Sequence, residues 1–242
     1  MHIAAFNESI MLVLKFRIGG NLRFLSHAQM LSVFQRACVR AGLKIQYSQG
    51  FNPRPRLSLP LPRPVGVASD DELLCLRIRK GTSPQKHKST RTEGIYDLCT
   101  FVKAQLTEQL PQGCELLSVS IAESNTSFRP SSATYVLSAR QEYLNEELKA
   151  TIKRLLASES LNLQRRIDKR ESKIESQKSK LKNIDVRGFL KSIELDGNSI
   201  IVECKIGSTG SIRVEEILKL LELDVGKLAS PIRRTNVQWQ QT

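Results

Sequence analysis

Between Ser9 and Ser69 the chain carries no aspartate or glutamate, although acids make up 24 of its 242 residues. Other shortages exclude whole classes of chemistry. The five cysteines, Cys38, Cys75, Cys99, Cys114 and Cys204, are far apart and odd in number, with no C-x-x-C among them. Only three histidines are present, His2, His27 and His87, so no zinc set can be assembled. Buried, reduced thiols in a cytoplasmic protein are the expectation. No apolar run reaches the roughly 18–20 residues of a membrane span. The opening residues have neither a basic leader nor a small-residue cleavage site, and Glu8 interrupts them. There is no G-x-S-x-G, no phosphate loop ending in G-K-[ST] and no strand followed by G-x-G-x-x-G. Gly207-Ser208-Thr209-Gly210 lacks the lysine of a phosphate-cradling loop and reads as a turn.

What fills the acid-free stretch is cationic: Lys15, Arg17, Arg23, Arg36, Arg40, Lys44, Arg54, Arg56 and Arg63. Folded surfaces ordinarily intersperse both signs, and a field of one sign is kept where it is useful. The whole chain has a net charge of +13, distributed over both halves rather than in one tail. Such a balance favours a polyanionic partner, nucleic acid before others. At 40% hydrophobic and 25% charged residues the composition is that of an ordinary folded protein, long enough for one large or two small domains.

The apolar run Ile10–Leu14 continues through alternating Lys15, Phe16, Arg17 and Ile18, which predicts a strand. Ser26 with Gln29 is a capping-box pattern, and Met30, Leu31, Phe34, Ala37, Cys38 and Ala41 recur at helical spacing until Gly42. Ser69-Asp70-Asp71-Glu72 reads as a turn before a strand over 73–78. The polar insertion 80–93, which includes Lys86, His87, Lys88 and Arg91, reads as a mobile loop. A helix over 95–110 and a strand over 116–122 complete a βαββαβ order. Ser124–Ser132 reads as a linker. Beyond it come a strand, a helix over 142–156 and a basic run, 161–183, that suits either a solvated hairpin or helix or an RNA contact. Two strands about Gly197-Asn198, a short helix and a final strand follow. The expected fold is therefore α+β: two tandem ferredoxin-like (βαββαβ) units with antiparallel sheets, over residues 1–123 and 133–242. Each would cover one sheet face with helices and leave the other open, the face that RNA-binding modules of this topology use.

The candidate nucleic-acid-binding residues are Arg23, Arg36, Arg40, Phe51, Asn52, Arg54, Arg56 and Arg63. In Gly50-Phe51-Asn52-Pro53-Arg54-Pro55-Arg56 the two prolines stiffen a loop that holds two arginines beside an aromatic ring. Phe51 suits stacking on an unpaired base and equally a core anchor beneath the loop. No catalytic residue or metal site is assigned. His27, at a helix start near Ser26, is the one acid–base candidate, and a capping or packing role outweighs it.

L-x-F-L-S-H, then A-G-L-x-x-x-Y-S-Q-G-F-N-P-x-P-x-L-S, then L-P-x-P-V-G-V resembles the uncharacterised radical SAM-linked family. Ile184-Asp185-Val186-Arg187 with Phe189-Leu190-Lys191-Ser192 resembles that family's later segment. The chain departs from the pattern in two places: Ala28-Gln29 stands where the family reads L-D, and Arg54 where it reads His. The resemblance implies a radical SAM enzyme as partner. With no three-cysteine cluster signature here, the iron–sulfur cluster would belong to that partner, and this chain would hold no cofactor. The expected function is that of a non-catalytic, RNA-binding accessory protein. The alternatives are an RNA-processing endonuclease, similar in layout to CRISPR repeat-processing enzymes and using His27, or a protein–protein adaptor without RNA.

Overall fold

The computed structural model describes residues 9–79, 91–167 and 180–242, in a mixed α+β fold with mostly antiparallel strands. His2, His87, Lys86, Lys88 and the basic residues Lys169, Arg170, Lys173 and Lys178 lie outside the described residues. The chain divides into two compact units, one of residues 1–130 with 233–242 and one of residues 131–232. Sequence order groups 133–242 together, whereas the last strand packs with the first unit.

In the first unit, strand β1 (Ser9–Ile18) alternates as its sequence demands. Leu12, Leu14, Phe16 and Ile18 are buried on one side, while Lys15 and Arg17 are exposed. Helix α1 (His27–Arg40) opens with the capping box: the Ser26 hydroxyl accepts from Gln29 N–H, and the Gln29 amide oxygen accepts from Ser26 N–H. Gly42, at φ +69°, ends it in the left-handed region. Phe34 of α1 meets Phe16 of β1 edge to face, ring centroids 4.6 Å apart. After the short strand β2 (Leu57–Ser58), β3 (Ala68–Arg79) runs antiparallel to β1, pairing Leu12 with Leu76 and Leu14 with Leu74. Helix α2 (Arg91–Gln109) buries Leu98, Val102 and Leu106, and β4 (Cys114–Ala122) returns along the other edge of β1.

Gly113, in the turn from α2 to β4, has φ +94°, and a Cβ there would sit 2.8 Å from the Gly19 carbonyl oxygen. That carbonyl cannot yield easily, because the Gly19 N–H donates back to the Gly113 carbonyl at 2.8 Å. Gly113→Ala is therefore expected to destabilise the protein by about 1–3 kcal/mol, read from the urea midpoint.

The second unit takes most of β5 (Phe128–Ser138), then α3 (Glu146–Ala157), the hairpin β6 (Asn162–Ile167) and β7 (Lys180–Asp185), β8 (Leu190–Asp196), β9 (Ser199–Gly207), β10 (Gly210–Ser211) and α4 (Val214–Leu220). β9 lies between β5 and β8, antiparallel to each. The Asn145 side chain caps α3 by accepting from Leu148 N–H at 3.0 Å, and Leu148, Ile152 and Leu155 are buried on one face. Gly197-Asn198 is the tight turn between β8 and β9, with Gly197 at φ +53°. Arg165 of β6 grips Glu216 of α4 through two bonds of 2.8 and 2.7 Å. Burial alone would raise the Glu216 pKa, but the Arg165 guanidinium and the Arg213 N–H together hold it below its ordinary value.

Three expectations change. Ser69–Glu72 is not a turn but the start of β3. Lys15 lies 3.8 Å from Asp71, Arg233 lies 3.2 Å from Asp70, and Arg234 pairs with Glu72. Arg233 and Arg234 come from β11 (Arg233–Gln241), whose first residues run parallel to Ala68 and Ser69. The second correction is the supposed linker: from Phe128 its residues already belong to β5. The third concerns the sheet face turned away from the helices. Met11, Val13, Leu73 and Cys75 lie on it and are buried, while Lys15, Ser118 and Ser120 on the same face are exposed, so it is open only in part.

Candidate nucleic-acid interface

The loop after α1 is a small two-stranded ribbon. Leu43, Ile45 and Tyr47 point inward, Ile45 bridging to Ile78 of β3 and Tyr47 packing against the core. Tyr47 is opposed by Pro55, flanked by Arg56 N–H on the Gln46 carbonyl and Ser48 N–H on the Arg54 carbonyl, each at 2.8 Å. Such a position is a non-hydrogen-bonded pair, where the N–H that proline lacks is not required. Both feet of the ribbon stand on one residue of β3. Gln46 N–H donates to the Arg77 carbonyl at 2.8 Å, and Arg77 N–H donates to the Arg56 carbonyl at 2.9 Å.

Beyond the last rung, Arg54 N–H also donates to the Ser48 hydroxyl at 2.9 Å, closing off the tip Gln49-Gly50-Phe51-Asn52-Pro53. All five tip residues are exposed, and Gly50 has φ +134°. Phe51 has 101% relative exposure, which settles against its being a core anchor. Arg54 and Arg56 are exposed and two residues apart on an extended chain, so they share a face. Neither has a side-chain partner among the described residues. Lys44, whose carbonyl accepts from Arg79 N–H at 2.9 Å, and Arg77 project from the same side of the sheet as Arg56. Arg77 donates to the Ser124 carbonyl. Its place was readable from the alternation of Leu74, Leu76 and Ile78, each fully buried, around it.

The remaining candidates are not part of the ribbon. Arg36 is exposed on α1 without a side-chain partner among the described residues. Arg40 caps the end of α2, donating to the Gln109 carbonyl at 2.7 Å and to its side-chain oxygen at 3.2 Å. Arg23 donates to the Gly20 carbonyl at 2.8 Å and stacks 4.3 Å over the ring of Phe24, itself 55% exposed. Arg63 turns inward. At 9% exposure it donates to the carbonyls of Leu22, Arg23, Leu25, Pro64 and Val67, tying two loops together. Burial pulls its pKa below the ordinary value, with Glu72 opposing the shift and Arg234 adding to it. A guanidinium so occupied holds loops rather than a ligand. The charge count could not reveal this, because an arginine's role depends on which carbonyls surround it.

His27 is the first residue of α1, and the capping is done by its neighbour Ser26. No carboxylate between Ser9 and Ser69 can orient its ring from nearby in the chain. In the second unit, Asp185 accepts from the N–H groups of Leu161 at 2.8 Å and Arg187 at 2.9 Å, which hold its pKa below the ordinary value. Arg187 in turn donates to the carbonyls of Leu156, Ser158 and Leu190. This segment is a staple for the end of α3. Gly207–Gly210 is the turn between β9 and β10, with Gly210 paired to Gly207.

Among the described residues no three His, Cys, Asp or Glu side chains are placed to share a metal ion, and no helix is long and apolar enough to cross a membrane. Burial pushes the thiols of Cys38, Cys114 and Cys204 up to about 12 and that of Cys75 to about 11. Cys114 is only half-buried, and since the thiolate is the reactive form, the three buried thiols, Cys38, Cys75 and Cys204, are expected to react with Ellman's reagent only as fast as the protein unfolds. Rapid reaction of any of them in the native state would contradict the burial.

A family model described as an uncharacterized protein conserved in bacteria (DUF2344) matches residues 11–214. The chain belongs to this family. Both the ribbon and the Asp185–Arg187 staple lie within the matched span, whereas β11 lies outside it. The comparison with curated proteins found no match. The family's description assigns it no activity.

Proposed function

We propose that this DUF2344 protein is a non-catalytic nucleic-acid-binding accessory, with RNA as its ligand and a radical SAM enzyme as its partner. One observation carries the binding half: a fully exposed Phe51 at the tip of a ribbon whose outward face holds Arg54 and Arg56, neither consumed by the protein. Aromatic and guanidinium groups in this combination suit bases and phosphates together. The net charge of +13 would draw a polyanion toward any such face. The partnership rests on the motif resemblance alone. A ferredoxin-like reading of each unit is supported by strand order: β4-β1-β3 with β2 along β3 in one, and β5-β9-β8 in the other. The deciding experiment is the absorbance ratio at 260 and 280 nm of the purified protein before and after a high-salt wash. Nuclease-sensitive material released by salt is expected. A clean protein spectrum at low salt would overturn the reading in favour of a protein–protein adaptor.

A further inference from the structure

We infer that the ribbon tip receives an unpaired nucleobase, so that this face takes a single-stranded segment and not a duplex; the inference rests on the nucleic-acid reading above. Phe51 stands apart from the other exposed apolar side chains. Phe24, Val39, Val65, Leu181, Leu195 and Val225 keep between 38% and 72% of their surface open, and Phe51 keeps all of it. The fold therefore takes no packing from this ring, while fixing where it is shown. The Ser48–Arg54 closure and the two bonds to Arg77 hold the base of the tip, and Gly50 and Pro53 set its path.

A bare phenyl ring has no donor or acceptor with which to read a groove. What it offers is a flat face. Stacking one base on such a face is worth roughly 5- to 100-fold in affinity, but only when the face of the base is available. In a duplex each base is already stacked, and separating a step costs an amount of the same order, so the gain cancels. The major groove of A-form RNA is too narrow for side chains to read, which closes the other route into a duplex. Arg54 and Arg56 follow Phe51 along one strand of the ribbon and share its outward face, so they can hold phosphates of the strand whose base is stacked. Gln49 and Asn52, before and after Phe51 in the chain, are exposed and carry amide groups suited to a base edge.

The test is fluorescence anisotropy with a labelled short RNA, alone and annealed to its complement, using the full chain. The variants are Phe51→Ala, Phe51→Trp and the double Arg54→Ala/Arg56→Ala. Because Phe51 is wholly exposed, its substitution leaves the fold intact, and circular dichroism verifies this. The wild type should prefer the single strand, and Phe51→Ala should lose roughly 5- to 100-fold of that affinity while its duplex affinity stays unchanged. Phe51→Trp should keep the preference and show indole quenching by the single strand beyond any change at Trp239 in the wild type. Equal binding of both RNAs by the wild type, or a single-strand preference that survives Phe51→Ala, overturns the inference. If both RNAs bind equally and the double arginine variant weakens both, the nucleic-acid reading stands without it. If neither binds, both fall.

Discussion

Glu72→Ala should lower stability by about 3–5 kcal/mol, the largest effect expected of any single substitution named for this chain. Glu72 is 3% exposed, and its carboxylate accepts from Arg234, which is fully buried. Its field also reaches Arg63, whose five carbonyl partners join residues 22–25 to residues 64–67. Truncating the acid removes the buried carboxylate to which Arg234 donates and whose field favours the charged form of Arg63, and breaking a buried pair by removing one partner is expensive. The pair Arg154–Glu222 is the control. At 2.8 Å it has sound geometry, but both side chains are more than half exposed, so Glu222→Ala should cost only about 0–1 kcal/mol. Urea unfolding of the two variants makes the comparison. Equal midpoints would show that Glu72 is not the counter-ion on which this cluster depends. Replacing Glu72 and Arg234 together with apolar residues should recover much of the stability, because no unpaired charge then remains between them.

Replacing Arg54 and Arg56 together by alanine should weaken RNA binding about 100-fold at low salt, taking roughly tenfold for each guanidinium removed. The salt dependence gives a sharper criterion. Each phosphate contact on a single strand contributes about 0.7 to the slope of log affinity against log salt, so the double variant should flatten that slope by about 1.4. Arg36→Ala changes an equally exposed cation that α1 holds outside the ribbon, and its effect should be smaller. Anisotropy titrations over a salt series measure all three proteins. An unchanged slope in the double variant would place the binding face elsewhere, even if the protein still bound RNA.

The elements that could be read from sequence are those whose signals lie within one turn or one strand. Ser26 with Gln29 marked the start of α1, Gly42 its end, and Gly197-Asn198 a hairpin, because each satisfies or terminates hydrogen bonds a few residues away. The loop at Gly50–Arg56 was legible for the same reason. What was not legible depends on partners distant in the chain. Ser69–Glu72 has the composition of a turn, and pairing with β1 on one side and the start of β11 on the other makes it a strand, with Lys15, Arg233 and Arg234 beside its acids. Arg63 and Arg56 look alike in a charge count, yet one is surrounded by carbonyls and the other by water. Phe51 could have gone either way. Its exposure follows from the closure at Ser48 and Arg54, a hydroxyl–backbone contact that no periodicity announces.

The Glu72–Arg234 pair also sets an order of events during synthesis. The two residues are 162 positions apart, and at ordinary translation speeds that interval is roughly 10–30 s. Throughout it, strands β1, β3 and β4 can collapse with helices α1 and α2, but Glu72 waits for a counterpart that the ribosome has not yet made. The first unit to emerge is thus the last to be completed. Nascent chains arrested before Arg234 should expose it to proteases while the second unit is already closed.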